Sequence, residues 1–284
     1  MIPVAFDYLK PATVDDAVAA LAGGGDDAKV IAGGQSLLPV LRLRLAAPSL
    51  LIDLDGPPGL RGIRVDGDTL AVGAMTTHAE VAESSVVREY VPLLAAAATT
   101  IGDRQVRHRG TIGGSLAHAD PAGDFAAVLV ALDGECVVAG PGGRRTVGAG
   151  DFFVDYFTTA LGAGEILVEV RLPIRPGWGV HYEKFQRTAQ SWAMVGVAAA
   201  VRRENGSIAE ARVALTNMGS GPIRATAVEA ALAGADASAE VLARAAERAA
   251  EGTAARSDLS ASAEFREHLA RVLTRRALAV AAGL

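Results

Sequence analysis

The chain has 284 residues, enough for two domains or for one domain with an added lobe, and half of them are hydrophobic, an ordinary globular composition. A formal net charge of −5 with no block of Lys or Arg argues against nucleic acid or an anionic membrane as the main partner. The single cysteine, Cys136, excludes an internal disulfide and cannot hold an iron–sulfur cluster, so redox chemistry here would rest on an organic cofactor or on metals held by another chain.

The opening segment, Met1-Ile2-Pro3-Val4-Ala5-Phe6-Asp7-Tyr8, has neither a basic start nor an apolar signal core. No apolar run is long enough to span a bilayer, so a cytoplasmic location without an integral membrane segment is expected. Residues 1–55 read as strand, helix, strand, helix, strand. Phe6–Leu9 opens the unit, and Thr13 caps a helix whose Val14, Ala17, Val18 and Leu21 share a face and which ends at Gly23-Gly24-Gly25. Lys29–Ala32 and Leu50–Leu54 are strands of a small βαβ unit with a short parallel pair.

Residues 56–174 form a second unit. A hairpin turns at Asp66-Gly67-Asp68, Thr76-Thr77-His78-Ala79-Glu80 starts a capped helix, and Leu93–Ile101 is an Ala-rich helix. Strands follow around Cys136 and at Ile166–Leu172, separated by the Gly140–Gly143 turn. Residues 175–284 form a third unit, set off by Pro173 and Pro176-Gly177. It holds strands at Val180–Phe185, Met194–Arg202 and Ala209–Thr216, which predict a three-stranded antiparallel sheet, and Ala-rich helices to Ala282.

Two glycine-bearing segments carry chemistry. In the first, Ala32-Gly33-Gly34-Gln35-Ser36-Leu37-Leu38-Pro39, paired glycines at a strand exit turn successive N–H groups inward and leave no Cβ in the way of an anion. Ser36 adds a hydroxyl, and a helix starting near Leu37 adds its positive end. The segment is a pyrophosphate cradle or an ordinary strand-to-helix turn. The second runs from Gln105 to Asp124, where Gly110, Gly113 and Gly114 free the backbone, Thr111 and Ser115 offer hydroxyls, and Asp124 can accept from ribose, ribityl or adenine groups. Two such nests on separate lobes suit a ligand with two phosphates and long polar ends, and no Walker-type motif points to an NTPase. Nearby Arg104, Arg107 and Arg109 are either a docking cluster or a solvated basic turn.

Ala32-Gly33-Gly34-Gln35-Ser36-Leu37 together with Thr111-Ile112-Gly113-Gly114 resembles the flavoprotein (medium) subunit of molybdenum hydroxylases, such as aerobic carbon monoxide dehydrogenase and xanthine dehydrogenase. The resemblance runs from Phe6-Asp7-Tyr8 through Leu215-Thr216-Asn217 to the helical tail. It implies an α+β chain with a vanillyl-alcohol-oxidase-type (PCMH-type) FAD-binding fold of two α/β lobes and a C-terminal domain closing over the flavin.

The implied FAD site comprises Ala32, Gly33, Gly34, Gln35, Ser36, Leu37, Ile101, Thr111, Ile112, Gly113, Gly114, Ser115, Asp120, Asp124, Lys184 and Trp192. Within it the resemblance sets Asp124 at the adenosine end, Lys184 near the flavin ring and Trp192 beside it. It further implies a large molybdopterin subunit and a small 2Fe–2S subunit as partners in a dimer of heterotrimers, with no catalytic residue or metal on this chain. Electrons would pass from the clusters through FAD to a quinone, NAD or another acceptor. Alternatives are a stand-alone flavin oxidase of the same fold and a non-redox nucleotide-binding assembly module. On this reading Gly113→Val intrudes on the pyrophosphate.

Overall fold

The computed structural model of the chain describes residues 2–284; Met1, which opens the N-terminal segment, lies outside them. In the first unit Thr13 accepts from the Asp16 N–H and starts helix Val14–Gly24, which Gly25 ends at a φ of 56°. Strands Asp7–Leu9, Ala28–Ile31 and Leu50–Asp53 make a three-stranded parallel sheet with the last in the middle. The helix Leu37–Arg42 lies in the crossover between the latter two.

The second unit is built on a five-stranded antiparallel sheet. Its order is Ile63–Asp66, Thr69–Gly73, Ile166–Pro173, Glu135–Gly140, Gly143–Gly148. Alternation along the central strands sends side chains to two cores. Val137, Ala139, Ile166 and Val168 pack with the first unit's helix, whereas Cys136, Val138, Leu167 and Val170 pack against helices including Pro92–Thr99 and Asp124–Ala131. The hairpin, the Thr77/Glu80 capping box and the Ala-rich helix lie where the sequence places them.

The third unit contains one more strand than expected. Trp178–Gln186, Ala193–Glu204 and Ser207–Thr216 are joined by the two-residue strand Ile223–Arg224, which pairs with Ala214 and Leu215. A two-residue strand carries no alternation to read, which is why three strands were expected. Strand Ala193–Glu204 sends Ala198 and Ala200 into the second unit's core and Val195, Val197, Ala199 and Val201 into the third unit's own. Helix Ala263–Ala282 covers that outer face, with Leu269, Leu273, Ala277 and Leu278 turned inward. No helix among the described residues is long and apolar enough to cross a membrane.

Candidate functional site

A cavity of about 910 Å³ runs between the units and is lined by residues of all three. That volume is within the roughly 300–1,000 Å³ of small-molecule and cofactor sites. The first glycine segment forms part of its wall. The chain leaves strand Ala28–Ile31, Gly34 adopts φ +74°, and helix Leu37–Arg42 begins directly after Ser36. The backbone N–H groups of Gly33, Gly34, Gln35, Ser36 and Leu37 have no backbone acceptor among the described residues, and Ser36 makes no side-chain capping bond. Unpaired N–H groups on a concave wall are what an anionic ligand needs, because leaving them dry and unbonded is costly.

The second glycine segment is built differently from the expectation. It is the first turn of a helix, Ile112–His118, capped by Thr111, whose hydroxyl accepts from Gly114. Ile112 N–H donates to Thr76 O, Gly113 N–H to Ala74 O and Ser115 N–H to Thr111 O. These groups are spent within the fold, so this segment is not a nest of free N–H donors. A Cβ on Gly113 would lie 2.5 Å from the Ala74 Cβ, so that glycine permits close packing of helix on strand. What the segment offers the cavity is the lining formed by Thr111, Gly113, Gly114 and Ser115, while the Ile112 side chain is buried in the core and is not part of the lining.

The lining also includes Ile101, Asp120, Asp124, Phe157, Lys184 and Trp192. Asp124 is 3% exposed and both its carboxylate oxygens are engaged: Oδ1 accepts from the Tyr182 hydroxyl at 2.6 Å and Oδ2 from Lys184 Nζ at 2.8 Å. Burial raises its pKa, opposed by the Lys184 ammonium and the Tyr182 hydroxyl; burial likewise pushes the Tyr182 phenol far up. Asp124 is therefore placed as the counter-ion of Lys184, not as a free acceptor for an adenosine. Asp120 accepts the Ala122 N–H through Oδ1, and Trp192 is 54% exposed at the mouth.

Leu21, Asp26, Lys29 and the Gly162–Glu165 turn line the cavity as well, none of which the sequence assigns to the site. His78 also lines the cavity. It is 5% exposed, its Nδ1 has no partner, and burial followed by the charge of Arg107 lowers its pKa to about 4, so it is neutral. Arg107 itself donates to the carbonyls of Ile101 at 2.9 Å and Gly102 at 3.3 Å, which removes it from the basic cluster; Arg104 and Arg109 remain exposed.

Apart from Ile112, every residue expected in the site lines this one cavity. Tyr182 was missed, although it stands two residues before Lys184 on a strand and so shares its face. The structure fits FAD by the volume of its cavity, the row of free N–H groups on its wall and a buried cation in its lining.

Residues 4–175 match the family model described as the FAD binding domain in molybdopterin dehydrogenase, and residues 180–281 match the CO dehydrogenase flavoprotein C-terminal domain. The chain belongs to the FAD-binding medium subunits of the molybdenum hydroxylases. This medium subunit is 41% identical over 279 residues to the carbon monoxide dehydrogenase medium chain of Hydrogenophaga pseudoflava, covering 98% of this chain and 97% of that one. It is 40% identical to the nicotine 6-hydroxylase medium subunit of Paenarthrobacter nicotinovorans over 96% of each chain. Among solved structures it resembles carbon monoxide dehydrogenase from H. pseudoflava, with a TM-score of 0.96 at 43% identity over 99% of this chain and 98% of that one. Quinoline 2-oxidoreductase from Pseudomonas putida 86 gives a TM-score of 0.95 at 36% identity, covering 100% and 99%. The medium subunit is thus an oxidoreductase component with an FAD-binding domain.

Proposed function

We propose that this medium subunit holds FAD along the cavity and serves as the electron relay of a heteromeric molybdenum hydroxylase. The observation that carries this reading is the row of free N–H groups from Gly33 to Leu37 on the wall of a cavity that Lys184 and Trp192 also line. Bound there, FAD supplies the capacity to take up electrons and hand them on. The Gly33–Leu37 backbone and the Thr111 and Ser115 hydroxyls hold the diphosphate. Lys184 and Trp192 face the ring, and the Asp26, Lys29 and Glu165 end takes the adenosine.

The division into lobes 1–55 and 56–174 and a closing domain 175–284 belongs to the same proposal, with the two lobes forming the PCMH-type arrangement. Electrons come from 2Fe–2S clusters on a small subunit, the organic or gaseous substrate is oxidised at molybdopterin on a large one, and the acceptor is a quinone, NAD or another carrier. The working assembly is a cytoplasmic dimer of heterotrimers. Stopped-flow mixing tests this. Substrate is expected to bleach the flavin rapidly only in the copurified assembly, and rapid bleaching of the isolated FAD-loaded chain would favour a stand-alone oxidase.

A further inference from the structure

Lys184 has two of its three N–H bonds spent inside the protein: one on Asp124 Oδ2 at 2.8 Å, the other on the Thr100 carbonyl at 3.1 Å. Its side chain is 4% exposed and still lines the cavity. Thr100 is the C-terminal cap of helix Pro92–Thr99, whose negative end favours a cation. Asp124 is the first residue of helix Asp124–Ala131, whose positive end favours an anion. Tyr182 then ties the other carboxylate oxygen, so the carboxylate cannot turn away from the lysine. A buried ammonium is retained only with such a partner, since an unpaired one sheds its charge or leaves.

We propose that Asp124 and Tyr182 are positioning residues that fix the Lys184 ammonium at the ring end of the cavity and thereby set how readily FAD bound there is reduced. This rests on the proposed FAD site, and the test separates the two. Lys184 offsets negative charge gained on reduction. Asp124 acts through Lys184, because the carboxylate holds the ammonium in place. Tyr182 acts through Asp124.

The full chain loaded with FAD is poised at a fixed ambient potential, and the ratio of reduced to oxidised flavin is read from its absorbance. Lys184→Met is expected to lower that ratio about tenfold, equivalent to ~30 mV for a two-electron couple. Asp124→Asn is expected to lower it by a similar factor, Tyr182→Phe by less, and the double variant Asp124→Asn/Lys184→Met no further than Lys184→Met alone. Lys184→Arg restores most of the ratio. Circular dichroism and bound-FAD content confirm that each variant compared is folded and loaded. If Asp124→Asn does not fold, Tyr182→Phe alone and combined with Lys184→Met carries the same test. An unchanged or raised ratio in Asp124→Asn, or a shift that persists in the Lys184→Met background, overturns the inference while leaving the FAD site standing. Failure of the wild-type chain to hold FAD would overturn the site itself.

Discussion

Gly33 packs its bare Cα against the Arg109 carbonyl oxygen and the Gly110 Cα, so the two glycine segments touch backbone to backbone. Any Cβ at Gly33 would be driven into that carbonyl, and the segments would have to part. Gly33→Ala is therefore expected to displace the row of free N–H groups from its facing wall. FAD affinity of the apo-chain, measured by isothermal titration, should fall at least about tenfold, ~1.4 kcal/mol. Unchanged affinity would mean that the contact does not shape the site.

Gly113 has a different task. A Cβ there meets Ala74 in the core, so Gly113→Val should lower the unfolding free energy of the FAD-free chain by about 1–3 kcal/mol, read from urea denaturation. Ser115→Ala, at a half-buried lining position, should move stability by less than about 0.5 kcal/mol yet weaken FAD binding. FAD loss in Gly113→Val at unchanged stability, with Ser115→Ala binding FAD normally, would place the phosphate against the Gly113 backbone instead of the Ser115 hydroxyl.

The first glycine segment was legible because a strand, two glycines and a helix start follow one another within the sequence. The second was misread because its glycines look like loop punctuation. The packing of Gly113 against Ala74, and the Ile112 and Gly113 N–H bonds to Thr76 and Ala74, come from a segment more than about thirty positions away, which local pattern cannot report. Helix Asp124–Ala131 is buried throughout, so it shows no apolar stripe to find. Asp124 lines the cavity as the sequence suggests, but its pairing with Tyr182 and Lys184 is not legible there, since those partners lie on a strand of another unit. Both the ligand class and the lysine were carried by the family resemblance; their geometry was not.

His78 gives the chain an acid sensitivity. Its pKa is lowered from the ordinary 6.5 to about 4 in the folded state, so between those values the unfolded chain binds a proton that the folded chain refuses. Its contribution is intact above about pH 6.5 and is lost as pH falls toward 4, by ~3 kcal/mol at 1.36 kcal/mol per pH unit. His78→Asn should flatten the decline of the urea midpoint across that window. An unaltered decline would assign the acid sensitivity to carboxylates instead.

Cys136 is fully buried in the second unit's sheet, and burial pushes its thiol up to about 12. It is expected to be silent toward a thiol reagent at neutral pH in the native chain and to react only after unfolding. The check is the rate of reagent consumption with and without denaturant. Rapid native labelling would show that this sheet opens.

The most direct measurement is the flavin content of the purified full chain after incubation with FAD and removal of the excess. The free N–H groups of Gly33–Leu37 and the cavity that Lys184 lines predict a yellow protein that retains a single FAD per chain and releases it intact on denaturation. A folded, colourless chain that releases no FAD would contradict it.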